Sequence, residues 1–374
     1  MKRICLCHMK AHAAFEEKSD APIGGTLIQM RVLAEKLAED PDTYVAFLLG
    51  NFGQPKQERC GSIDLFGSTT MQPTILNTFL APFRMWRDFR KIDPDIVIAS
   101  SAGIETGIVF AFCRLGRRRR FIYRVAHEWD CSGEYAKRYF FRGIFFEWGL
   151  RGADVRVAQS EEQRTLLKKK GLSSIVIRNS FVMPSNANAP RQFSQRASLL
   201  WVSRCEPWKH PELFLQLAQA FPEESFVMIC PPQKYGEEFF EMIRKQSSLI
   251  PNLRFLDFVP FSSIQTYFDE AKVFVGTSEY EGFPNTYIQA CLGATPIISY
   301  RVNPDHIFES HGIGFCANGS WEAFVDHVRL FLHDKGVWDT RSSRAYQYVH
   351  EYHDIEKNIQ KWITIFTNSL DEVF

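Results

Sequence analysis

The 374-residue chain contains no run of about 18 uninterrupted apolar residues, so no segment reads as a membrane-crossing helix. Charge of one sign is also missing. Forty-four Lys and Arg balance 43 Asp and Glu to a formal +1, which leaves no global field to draw the chain to nucleic acid. The nine cysteines show no paired metal spacing, and their odd count argues against a complete disulfide framework, so a reducing cytosol is expected. Cys5 and Cys7 in "CLC" alternate along a strand and are expected to pack on one sheet face rather than bind a metal. The start, "KRICLCHMK", has no long apolar core followed by a small-residue cleavage site, so no secretory leader is expected. Low-complexity tracts and short-period repeats are absent as well.

What is present is alternation. Short apolar runs ("RICLC", "YVAFLLG", "DIVIAS", "RFIYRVA", "VRVAQS") are separated by amphipathic stretches, the pattern of a parallel sheet covered by helices. In "GGTLIQMRVLAEKLAED" the residues Leu27, Met30, Leu33 and Leu37 recur at helical spacing, while Arg31, Glu35 and Lys36 face elsewhere. "SEEQRTLLKKKG" starts with a Ser160/Gln163 capping box and stops at Gly171. The alternation breaks over residues 179–198, which are rich in Asn, Ser and Pro, and restarts at "SLLWVSR". Three segments are therefore expected: an α/β domain over 1–183, a second over 198–345, and a helical tail over 346–374 that packs back on the first. Two such halves suggest a cleft to which both sheets turn their carboxyl ends.

The segment "SEYEGFPNTYIQACLGATPII" (278–298) carries the densest chemistry. Pro284 suits a first helical turn and Gly293 a helix stop, which predicts a helix over about 285–292. Its unpaired N–H groups form a seat for phosphate. Asn285 and Gln289 share one face, about 6 Å apart along the axis. Glu281 lies just outside, where its carboxylate can accept hydrogen bonds from sugar hydroxyls. On these residues alone an electrostatic capping role for Glu281 stays equally open.

"EGFPNTYIQA" resembles the Glu-x7-Glu segment of family 4 retaining glycosyltransferases. "WVSRCEPWKHPELFL" is similar to that family's Gly-Arg-x(n)-Lys segment, "GGTLIQMRVLAEKLAE" to its first helix with the Gly-Gly loop, and "VRVAQSEEQRTLLKKKGLSSIVIRNS" to its strand-helix-strand run. The resemblance implies the GT-B fold, two Rossmann-like domains facing a central cleft, and a nucleotide-sugar donor. It implies that Arg204 and Lys209 grip the donor diphosphate, that Glu281 binds the sugar, and that His127 contacts the transferred sugar, with Arg124 and Asp130 as lesser candidates in the same loop. It further implies that Gly24 and Gly25 close over the phosphate, that the backbone of Phe283, Pro284, Asn285 and Thr286 seats the phosphate end, and that Gln289 holds the ribose. Two positions depart from the pattern: Ser203 stands where a Gly is usual, and Gln289 replaces the second Glu, losing its charge. The second departure keeps a non-catalytic binding or scaffold protein in view, and a nucleotide-sugar epimerase is a further alternative.

No metal and no other cofactor is expected, because fixed cations and a helix terminus can neutralise a diphosphate. Pro-centred "DPD" at 40–42 and 93–95 reads as turn chemistry. The expected acceptor is a glycan or lipid-linked oligosaccharide, as in surface polysaccharide biosynthesis, with the protein cytoplasmic and peripheral on the inner membrane face. "RLGRRRRFIYR" (114–124) and "AKRYFFRGIFFEWGLR" (136–151) could touch anionic headgroups, though the spacing of Phe140, Phe141, Ile144, Phe145 and Trp148 favours burial. Nucleic acid is not expected, since no binding motif accompanies the arginines.

Overall fold

The computed structural model describes residues 1–16, 23–70, 74–117, 119–184, 190–233 and 236–367. Ile23–Phe181, with the first strand before it and the chain from Ile355 after it, forms one compact unit; Val182–Asp354 forms the other. The second unit therefore runs past the expected boundary at 345. Helix Lys335–Tyr352 stays with it, packing on helix Asn285–Leu292, and Ser342 Oγ donates to the Ala294 carbonyl at 2.6 Å. Helix Ile355–Thr367 instead places Ile359, Trp362 and Ile365 in the core of the first unit. Part of the expected linker (185–189), Arg118 and residues 368–374 lie outside the described residues.

The strands of the first unit are β1 (Lys2–Cys7), β2 (Thr43–Asn51), β3 (Gln57–Cys60), β4 (Ile63–Thr70), β5 (Ile96–Ser100), β6 (Arg120–Arg124), β7 (Val155–Ala158) and β8 (Ile175–Val176). They form one sheet in the order β3-β4-β2-β1-β5-β6-β7-β8. All neighbours run parallel except β3 and β4, a hairpin at the edge. Central strands are buried on both faces, which is why they read as unbroken apolar runs. Along β1 the side chains alternate: Ile4 and Leu6 join Met30, Leu33 and Leu37 on one face, while Cys5 and Cys7 join Phe89 and Phe112 on the other. Burial drives both thiols well above the ordinary cysteine range, so they act as small apolar groups.

Helix ends follow the expected chemistry with one shift. Ser160 Oγ accepts from the Gln163 N–H at 3.2 Å, but Gln163 Oε1 reaches the Gln159 N–H at 2.8 Å rather than that of Ser160. Gly171, with φ +71°, supplies the left-handed turn after this helix. The arginine run is not a free cationic surface. Arg114 pairs with Asp154 at 2.8 Å, Arg117 with Asp95 at 2.9 Å and Arg119 with Asp93 at 2.9 Å, while Arg120 donates to the Ile365 carbonyl. Those partners come from the turn after helix Ile75–Ile92, from the start of β7 and from the last helix.

In the second unit β9 (Ser198–Val202), β10 (Ser225–Ile229), β11 (Leu253–Leu256), β12 (Ala271–Gly276), β13 (Ile297–Ser299) and β14 (Gly314–Cys316) form a wholly parallel sheet ordered β11-β10-β9-β12-β13-β14. Winding reverses between β9 and β12. Doubly wound sheets hold ligands at the carboxyl ends of the strands beside such a reversal. In the first unit the equivalent reversal falls between β1 and β5.

His8, directly after β1, is buried and accepts the Lys10 N–H at Nδ1, 3.2 Å away. Burial, helped by the charge of Lys10, depresses its pKa from 6.5 to about 4. The unfolded chain thus takes up this proton more readily than the folded one. Stability is expected to fall as pH drops from 6.5 towards 4, with about 3 kcal/mol at stake. Unfolding free energies measured across that range should flatten in His8→Asn; an equal slope in both proteins would assign the acid sensitivity elsewhere.

Candidate active site

Two loops at the winding reversal of the second unit build the site. After β9 the chain keeps alongside β10: Ser203 N–H donates to the Ile229 carbonyl at 3.1 Å and Cys205 N–H to that of Pro231 at 2.9 Å. It then tightens into a single 3-10 turn, Pro207–Lys209, and leaves through His210 in the left-handed conformation into helix Pro211–Ala220. After β12, Thr277 anchors the second loop. Its hydroxyl donates to the Lys209 carbonyl at 2.6 Å and accepts from Trp201 Nε1 at 2.8 Å, so residues on adjacent strands pin the base of both loops.

Higher up, the Glu279 N–H donates to the Trp208 carbonyl at 2.9 Å, and the rings of Trp208 and Tyr280 stack 4.9 Å apart at 4°. Lys209 Nζ sits 3.9 Å from the centroid of the same indole and forms an ion pair with Glu281 Oε1, which also accepts from Ser278 Oγ at 2.9 Å. Burial of the ammonium outweighs the attraction of Glu281 and lowers the Lys209 pKa from its usual 10.5. Arg204 is more open. Its Nη1 lies 3.4 Å from Glu206 Oε1 and 3.4 Å from Gln233 Oε1, and Glu206 Oε2 is buried without a hydrogen-bond partner.

The helix predicted over 285–292 is Asn285–Leu292. Pro284 occupies the N-cap rather than the first turn, its φ of −65° combined with an extended ψ, and no side chain caps the end. Gly293 stops the helix without a left-handed turn (φ −77°); a Cβ there would lie 3.1 Å from the Phe268 carbonyl, so closeness rather than conformation calls for glycine. Gln289 is 5% exposed, and its backbone carbonyl accepts from Gln265 Nε2 at 3.1 Å. Phe283 packs its ring on His353, 5.0 Å away.

Lys209 and Glu281 are therefore brought together, with Arg204 on the same loop as Lys209 and helix Asn285–Leu292 starting four residues after Glu281. The remaining expected residues belong to the first unit. Gly24 is the N-cap of helix Gly25–Leu37; its φ of −68° suits any residue and a Cβ would meet nothing within 4 Å, so the fold itself does not require glycine there. His127, on the loop after β6, caps the short helix Glu128–Ser132, with Nδ1 accepting the Trp129 N–H at 3.2 Å. Asp130 is buried and holds that loop, accepting from Tyr123 Oη and the Ala126 N–H, each at 2.9 Å. Arg124 is buried on Asn179, its pKa lowered to about 10 by desolvation. Both are structural in this arrangement. The sequence reading missed Trp208, Tyr280, Thr277 and Ser278; the signal was two aromatics in polar loops, each directly preceding a charged candidate.

Residues 184–361, just under half of the chain and most of the second unit, match the family model described as Glycosyl transferases group 1. A poly(ribitol-phosphate) alpha-N-acetylglucosaminyltransferase of Staphylococcus aureus (strain COL) is 20% identical over 219 residues, 57% of this chain and 43% of that protein. The chain thus matches less than half the length of that curated relative. Among solved structures, a sucrose-phosphate synthase from Thermosynechococcus elongatus aligns with a TM-score of 0.79 at 15% identity, covering 98% of each chain. Anabaena Alr3699/HepE, in complex with UDP and glucose, aligns at 0.76 and 15% identity over 99% of this chain and 100% of its own. The fold is that of GT-B glycosyltransferases, with two Rossmann-like domains.

Lys209 depends on Glu281 for its charge balance. Truncating Glu281→Ala should cost about 3 kcal/mol in ligand-free unfolding, because it strands a buried ammonium. The double variant Glu281→Leu/Lys209→Met should recover most of that loss. A double variant as unstable as the single one would mean that the pair does not govern stability here.

Proposed function

We propose that this protein is a retaining, metal-independent glycosyltransferase of family 4, moving a sugar from a nucleotide-sugar to a glycan or lipid-linked oligosaccharide on the cytoplasmic side of a membrane. The observation that carries the reading is the Lys209–Glu281 pair, with Arg204 on the same loop and helix Asn285–Leu292 following directly, at the winding reversal of the second unit. UDP bound to a structural relative of the same fold supports a nucleotide diphosphate donor.

In this reading Arg204, Lys209 and the main chain of Phe283, Pro284, Asn285 and Thr286 take the donor diphosphate. Breaking the bond from the anomeric carbon to phosphate oxygen builds charge on the leaving group. Cations fixed before reaction stabilise that charge more than they stabilise the bound donor. Trp208 and Tyr280 hold the Lys209 ammonium in place, so little reorganisation is needed. Glu281 accepts hydroxyls of the donor sugar, Gln289 a ribose hydroxyl, and Gly24 and Gly25 leave room for phosphate to approach the main chain. His127 contacts the transferred sugar. The acceptor hydroxyl enters on the face the phosphate leaves, its proton passes to the departing phosphate oxygen, and anomeric configuration is retained. The two cations and the helix start carry out the neutralisation a divalent metal would otherwise supply.

A screen of UDP-sugars by melting shift, followed by donor consumption, tests the reading. Arg204→Ala should lower kcat about 10²–10³-fold, and chelator should leave turnover unchanged. Unaltered turnover in Arg204→Ala would refute the assignment, and a melting shift without donor consumption would make the protein a binder rather than an enzyme.

A further inference from the structure

Helix Phe140–Gly152 leaves Phe140, Phe141, Ile144, Phe145 and Trp148 exposed, contrary to the expectation from their spacing. It turns Gly143, Phe146, Gly149 and Leu150 inward, because helix Ile104–Arg114 crosses it closely: a Cβ on Gly149 would stand 2.5 Å from the Thr106 carbonyl oxygen, and one on Gly107 2.7 Å from that of Phe145. The larger side chains are forced outward. Phe140 is 69% and Phe141 75% exposed, and Ile144, Phe145 and Trp148 are exposed beside them. Helix Ile75–Ile92 repeats the arrangement. It buries Met85, Phe89 and Ile92, and its opposite stripe shows Leu76, Phe79 (72%) and Phe83 (74%), continued by Arg87 and Arg90. Both helices pack on helix Ile104–Arg114, on the sheet face that carries Cys5 and Phe112, so the three form one layer.

Such an apolar area on a charged protein marks an interaction surface. Its charge selects the partner. The two outer helices carry six basic residues, Arg84, Arg87, Arg90, Lys91, Arg142 and Arg151, against Asp88 and Glu147. Asp88 is buried under Arg87, and Glu147 is paired with Lys170. Two copies of a net positive face repel each other, whereas an anionic bilayer complements it. We infer that helices Ile75–Ile92 and Phe140–Gly152 lie on an anionic lipid surface, with Phe79, Phe83, Phe140 and Phe141 entering the acyl boundary and the arginines at the headgroups. The surface sharpens the membrane-peripheral part of the proposed function but is tested without donor or acceptor, so the two stand or fall separately.

The test is sedimentation of the full chain with vesicles of phosphatidylcholine alone or mixed with phosphatidylglycerol. The protein should pellet with the mixed vesicles and less so in high salt. Phe79→Ser/Phe83→Ser/Phe140→Ser/Phe141→Ser should weaken binding at least about tenfold with melting unchanged. Arg90→Glu/Arg142→Glu should weaken it on the anionic vesicles by about tenfold or more. Failure of the native chain to bind anionic vesicles, or equal binding by both variants, would overturn the inference. So would a dimer in analytical ultracentrifugation that the aromatic variant splits, because the face would then be a contact between copies.

Discussion

A buried lysine paired with a carboxylate is the constraint around which the second unit is arranged. Withdrawing the Lys209 ammonium from water disfavours its charged form, and the depressed pKa records that cost. Three features offset it: the Glu281 carboxylate, the face of Trp208, and the rigidity with which Thr277 and the Trp208–Glu279 main-chain bond tie the two loops together. Each comes from the loop after β9 or the loop after β12. The strand order that makes these loops neighbours is thus a precondition of the charge pair, which sits where doubly wound sheets hold ligands.

The two units are equipped differently. The second concentrates fixed charge at the winding reversal, where Lys209, Glu281, Arg204 and Glu206 stand within two short loops. The first uses the arginines near its strand ends for structure. Arg114, Arg117 and Arg119 brace strand ends and turns through aspartates, and Arg124 is buried on an asparagine. Its outward chemistry lies instead in aromatic side chains and further arginines on one helical layer. Among the described residues no helix is long and apolar enough to cross a membrane.

Much of this was legible because local chemistry and tertiary environment agree. Unbroken apolar runs became strands covered on both faces, and Ser160 and Gly171 ended a helix at the expected places. Residues 285–292 formed a helix because Pro284 and the close contact at Gly293 bound it on either side. What escaped depends on partners distant in sequence. The arginine run has no acid nearby in the chain, yet Asp93, Asp95 and Asp154 reach it in three dimensions. Helical periodicity located two faces on 140–152 but could not say which one points inward; the glycines at 143 and 149, which admit a neighbouring helix, decide that. The stacking of Trp208 on Tyr280 joins residues from two loops and leaves no periodic trace. The last boundary falls after Asp354 rather than at 345 because helix Lys335–Tyr352 is held by Ala294 and helix Asn285–Leu292, a contact that composition does not record.

The most direct measurement is a crystal structure of the chain with UDP bound. The account places the diphosphate within hydrogen-bonding distance of Lys209 Nζ and the Arg204 guanidinium, its oxygens at the start of helix Asn285–Leu292 and the ribose against Gln289. A diphosphate seated away from Lys209 and that helix start would contradict it.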